Sequence, residues 1–152
     1  MVINQLSSTV MQELRYILEQ MNVCALALEE ISKKEQEAIH VLDSDRIMVL
    51  ADRRVEAHQK LAHLETECHA LLKQQGIPGD MTLEMVIDMH GGADAPDLQA
   101  IRRKLYNRVL SVDQGRQENR LRLLAAYSVT STILQKLGLS ESKSTYSRSG
   151  VK

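Results

Sequence analysis

Apolar side chains recur at steps of three and four along most of this chain, and that spacing leaves few folds open. In the first long segment they fall at Leu14, Ile17, Met21, Cys24, Leu28, Ile31, Ala38 and Leu42, with Glu35 the one polar residue on the seam. Such an alternation lays one stripe of an α-helix against a neighbour. Leu18, Ala25 and Ile39 widen the stripe into a face suited to a bundle rather than a lone two-stranded coil. Ser7, Ser8 and Thr9 offer capping hydroxyls, and the spacing predicts a helix over about 5–41. Asp43-Ser44-Asp45 then supplies a polar break with N-cap chemistry. A second seam reads Ile47, Leu50, Ala57, Leu61, Leu64, Cys68 and Leu71, interrupted by Arg54, and predicts a helix over 44–75. Gly76 stands at its C-cap with Pro78 just beyond. A tight turn at Asp43 and a kink in one continuous rod fit this pattern equally.

Residues 76–97 form a connector. Asp80 or Thr82 can cap a short helix over 81–89, with Leu83, Met85, Val86 and Met89 on one side and Gly91-Gly92 ending it. Asp94-Ala95-Pro96 restarts the chain as an N-cap with proline in the first turn. The third long helix is expected over 96–137, closed by Gly138; it opens with Leu98, Ile101, Leu105, Val109 and Val112. Next comes a hydrophilic stretch, Asp113 to Arg120, which contains Gly115 at a cost of about 1 kcal/mol relative to alanine. It marks an exposed section, a polar layer in a bundle built around Asn119, or a break. The chain then turns strongly apolar from Leu121 to Leu137, over a face wider than one neighbouring helix needs. The fold predicted is all-α: an elongated antiparallel helical hairpin with a third long helix alongside, a coiled-coil-like bundle over 1–138. Residues 139–152, rich in serine and lysine, are expected to be a mobile C-terminal tail.

Composition narrows the function. The chain has no Trp, no Phe and four Tyr, whereas small-molecule pockets and single-stranded nucleic-acid sites lean on aromatic faces. The net charge of −1 hides an asymmetry: residues 1–100 carry 8 Lys and Arg against 17 Asp and Glu, and residues 101–152 carry 11 against 3. An acidic hairpin packed beside a basic helix accounts for this better than a polyanion-binding arm, because Arg102, Arg103, Lys104, Arg108, Arg116, Arg120 and Arg122 scatter around the helix with only Tyr106 interleaved. No nucleic-acid partner is therefore expected. The N-terminus lacks a signal-peptide pattern and no run of about 18 apolar residues occurs, so a cytoplasmic protein with no membrane insertion is predicted. Cys24 and Cys68, on apolar positions, read as core thiols.

The sequence carries few of the motifs that support chemistry on a helical scaffold. A carboxylate-bridged di-iron bundle needs two Glu-x-x-His motifs, and only Glu37-Ala-Ile-His40 is present. His58, His63 and His69 are spaced so that they do not share a face, though Glu65 with His69 or His63 with Glu67 can form weak pairs. Gly91-Gly92 is not a phosphate loop, and no nucleophile elbow occurs. Neither an enzyme nor a cofactor or metal is expected. The apolar section from Leu121 to Leu137 is the most informative patch, and its width suggests a groove for a partner helix.

Three features taken in order resemble the FlgN-type flagellar export chaperones. They are the heptad hairpin with Glu35-Gln36-Glu37 near its end, the polar section ending in Asn119 before Leu121-Arg122-Leu123-Leu124, and the tail Thr145-Tyr146-Ser147-Arg148-Ser149-Gly150. The chain departs from the family where Arg116 replaces an earlier asparagine and Ser147 a glycine. The resemblance implies a cytoplasmic chaperone that holds the C-terminal helical regions of hook–filament junction proteins and delivers them to the type III export gate. Carried over residue by residue, it implies cargo binding by Leu121, Leu124, Tyr127, Ile133 and Leu134. It also implies contact of Tyr146 and Gly150 with the cytoplasmic domain of the gate. A generic self-associating helical scaffold is the leading alternative, since a second copy could cover the exposed heptad faces, and a basic-helix nucleic-acid binder is the lesser one.

Overall fold

The computed structural model of the protein describes residues 5–138. Among these residues every regular element is helical: α1 (Ser8–His40), α2 (Ser44–Gln74), α3 (Leu83–His90), a 3-10 turn (Gly92–Asp94) and α4 (Ala95–Lys136). No helix among them is long and apolar enough to cross a membrane. The all-α bundle expected from the heptads is what forms. α2 and α4 pack on α1 rather than on each other, so α1 is the central member. That position explains its wide buried face, in which Leu14, Leu18, Ala25 and Leu28 are fully enclosed.

α1 begins at Ser8 rather than near residue 5, for two local reasons. Ser7 Oγ accepts the Val10 N–H at 3.2 Å, and the Leu6 N–H is drawn off to the His90 carbonyl at 2.9 Å. α1 and α2 are separate helices joined by a tight turn. The Asp43 N–H donates to Ala38 O at 2.9 Å and the Leu42 N–H to Ile39 O at 3.1 Å, the paired bonds of a Schellman C-cap. Asp43 in turn caps α2 by accepting the Arg46 N–H at 3.1 Å. The cap demands a left-handed residue, and Leu42 occupies it at φ 55. Leu42 therefore leaves the hairpin seam on which its spacing had placed it and stands 58% exposed. The same motif closes α2 with Gly76 at φ 77, where the conformation carries no Cβ penalty. Leu42→Gly is accordingly expected to raise the unfolding free energy by about 1 kcal/mol, measured by denaturant titration; a loss of stability would contradict this account.

α4 runs parallel to α1 and antiparallel to α2. Arg15 meets Asp97, Arg108 Nη1 donates to Asn22 Oδ1 at 3.1 Å, and Asn119 Nδ2 donates to Ser32 O at 2.8 Å, so the two helices advance together. Arg108 also pairs with Glu29 at 3.1 Å, which joins the basic last helix to the acidic first one. The main core lies at the open end of the hairpin, where Leu6, Leu14, Leu18, Leu71, Val86, Ile87 and Leu98 meet. α3 covers that end. Its buried side chains are Val86, Ile87 and His90, while Met85 and Met89 face outward, which corrects the expected face by one turn position. Thr82 rather than Asp80 caps it, accepting the Met85 N–H at 3.3 Å. Asp94 stands at the N-cap of α4 but its side chain accepts nothing there, because the 3-10 turn carries the backbone into the helix already in the right-handed conformation.

Candidate docking groove and its polar layer

The two charged residues that interrupt the seams, Glu35 and Arg54, face each other. Arg54 forms an ion pair with Glu35, with side chains only 12% and 13% exposed, and donates to Ser32 Oγ at 3.0 Å. From α4, Asn119 is buried, donates to the Ser32 carbonyl, and accepts from Arg122 Nη1 at 2.8 Å. Gly115, one turn earlier, lets α4 come close: a Cβ there would sit 3.4 Å from Ser32 Cβ. The hydrophilic stretch is thus an unbroken piece of helix whose inward residues build a polar layer across all three long helices. Burial, then the nearby Arg54 and Arg116, hold the His58 pKa below its ordinary 6.5. Cys24 and Cys68 are free and half-buried rather than fully enclosed. Burial, with Glu65 beside it, pushes the Cys68 thiol up to about 11, so it is an inert thiol at neutral pH. Glu37 faces Arg46 at 3.6 Å and His63 faces Glu67 at 3.0 Å. Among the described residues no three His, Cys, Asp or Glu side chains gather as metal ligands.

Beyond the polar layer the bundle opens. Leu98, Leu105, Val112, Asn119, Ala126 and Ile133 stand seven apart on α4. The first four are buried, Ala126 is half-buried and Ile133 is 51% exposed. On α1 the matching series is Met11, Leu18, Ala25, Ser32 and Ile39, all buried. It stops there because α1 ends at His40. The seam of α4 therefore outruns its partner by about two turns. What remains is a groove of about 1050 Å³ between the hairpin tip and the end of α4, walled by Ile39, Val41 and Leu42 on one side and Ala126, Val129 and Ile133 on the other.

The five apolar residues singled out from the sequence are all exposed: Leu121 66%, Leu124 55%, Tyr127 73%, Ile133 51% and Leu134 41%. They do not share a face. At about 100° per residue, Ile133 points into the groove, Leu124, Tyr127 and Leu134 cover an adjoining face, and Leu121 points nearly opposite to Asn119. The sequence reading passed over Val41, Leu42, Ala126 and Val129 as site residues. The signal that finds Ala126 is the seven-residue spacing carried past Asn119, and Val129 follows it three residues on; the apolar spacing that put Leu42 on the α1 seam hides its place in the groove wall. Tyr146 and Gly150 lie outside the described residues. Compared with known proteins, the chain matches the family model described as FlgN protein over residues 10–152. Neither the curated proteins nor the solved structures gave a match.

Proposed function

Because the chain belongs to the FlgN family, chaperones of flagellum assembly, we propose that it holds the C-terminal helical regions of hook–filament junction proteins in the cytoplasm and hands them to the export gate. The observation that carries this reading is the α4 seam that continues past the end of α1. It exposes Val129 and Ile133, 60% and 51% accessible, in a groove shaped for a helix. Filament-forming proteins have termini whose heptad faces are covered only on polymerisation. A chaperone that offers a ready-made half-seam covers such a face and stabilises the bound form by RT ln(1 + [L]/Kd). Delivery requires release, so a Kd of about 1 μM suits the task better than a picomolar one.

Titration calorimetry with purified C-terminal segments of the same organism's junction proteins tests this. Saturable one-to-one binding supports it; no heat with segment at about 100 μM, roughly a hundredfold above that Kd, together with failed co-purification, overturns it. The gate contact is assigned to Tyr146 and Gly150 on the family resemblance, as a site separate from the cargo groove. Tyr146→Ala is expected to leave cargo affinity within about twofold and to weaken capture by the gate's cytoplasmic domain about tenfold, or about 1.4 kcal/mol. Equal loss at both partners would merge the two sites.

A further inference from the structure

Resting on the chaperone reading, we infer that the groove selects one kind of occupant: an amphipathic helix with an acid-flanked apolar seam, which lies along α4 in the lane that α1 vacates and abuts Leu42. Three observations support it. The walls are the unfilled next layers of an existing helix pair, since Ala126 and Ile133 continue the series of Leu98 to Asn119. A segment that fills them therefore repeats α1's own heptad packing. A helix about 10 Å across fills 1050 Å³ over a length on the order of two to three turns, close to the overrun of α4.

Charge sets the flanks. Lys33 lies on the groove wall, and Lys136 occupies the seam position of Val129 one heptad later. Neither has a carboxylate within ion-pair distance among the described residues. The wall's carboxylate, Glu37, already faces Arg46 at 3.6 Å. Arg122 is held by Asn119 Oδ1 at 2.8 Å and Glu118 at 3.7 Å. The cations left unanswered are met by glutamate or aspartate beside the incoming seam, as at the e and g positions of a coiled coil.

Leu42 supplies the end stop. A leucine at φ 55 is a conformation that glycine adopts without penalty, yet here it presents an apolar side chain to the groove at 58% exposure. Strain retained beside a binding surface is explained if the side chain is used.

The test uses the full chain and two synthetic peptides of three heptads, leucine at a and d, with either glutamate or lysine at e and g. The glutamate peptide is expected to bind at least tenfold more tightly, with the preference shrinking as salt rises. Lys33→Glu with Lys136→Glu should abolish or reverse it. Leu42→Gly should weaken binding of the glutamate peptide about tenfold while raising the melting temperature; a purely structural role would move only the second. Equal affinity for both peptides, or a Leu42→Gly variant that binds unchanged, overturns the inference. A stable homodimer that excludes both peptides also overturns it, in favour of a second copy as occupant. The chaperone reading fails separately: junction segments that bind wild type and charge-reversed protein alike leave it standing, and a glutamate peptide that binds where junction segments do not removes it.

Discussion

Arg54→Leu is expected to lower the unfolding free energy by about 3 kcal/mol, and Arg54→Leu combined with Glu35→Leu to recover most of that loss. The Arg54 guanidinium touches Glu35 and Ser32 with 12% of its side chain exposed, so its removal strands the Glu35 carboxylate in a nearly dry layer. Breaking one member of a buried pair costs about 3–5 kcal/mol, and the slight exposure argues for the lower end. Replacing both charges with leucine restores the seam that they interrupt, and such exchanges are often neutral or stabilising. Arg54 Nη1 is buried without a partner, which makes the native pair still less favourable against an apolar substitute. In a chain of this size 3 kcal/mol shifts the thermal midpoint by roughly 6–12 °C. Calorimetric melting of the three proteins decides the matter. A single-variant loss below about 1 kcal/mol would place the pair with ordinary surface ion pairs.

This layer also shows how far the sequence carries. Glu35, Arg54 and the stretch from Asp113 to Arg120 are each visible as breaks in an apolar period, because a charge on a helix seam is conspicuous against a 3.5-residue repeat. Their convergence is not visible. It depends on the parallel register of α1 and α4, set by the connector through α3 and the 3-10 turn, and no local period encodes that register. Helix ends are legible where a cap chemistry is unambiguous, as at Gly76 and Gly138, both left-handed in the structure. They are less so at Leu42, where tertiary packing imposes on a leucine the conformation that a glycine prefers. The apolar run from Leu121 to Leu137 stood out in the sequence as surplus. Which of its residues line the groove depends on where α1 stops, a fact about another helix.

Ile133→Asp is expected to weaken binding of the junction segment about 100-fold, close to 2.8 kcal/mol, with the melting temperature nearly unchanged. Ile133 lines the groove on the α4 side, as Leu42 does on the hairpin side, and an apolar anchor that becomes desolvated on binding is where interface energy concentrates. In the free protein it is already 51% exposed, about four turns beyond the last buried layer at Asn119, so substitution removes little from the folded state. An aspartate would have to enter the seam unpaired, beside an occupant whose own flanks are acidic. Leu121→Asp is the control. Leu121 is more exposed, at 66%, and sits about 200° round the helix from Asn119, outside the groove; its variant should bind within about threefold of wild type. Calorimetric titration of both variants separates two geometries that an apolar helix leaves open. If Leu121→Asp is as damaging as Ile133→Asp, the cargo wraps α4 instead of extending the α1 lane, and the face bearing Leu124, Tyr127 and Leu134 becomes the main contact. If only Ile133→Asp is damaging, the cargo stands where α1 would have continued, and the chaperone works by lending an unfinished coiled coil its missing strand.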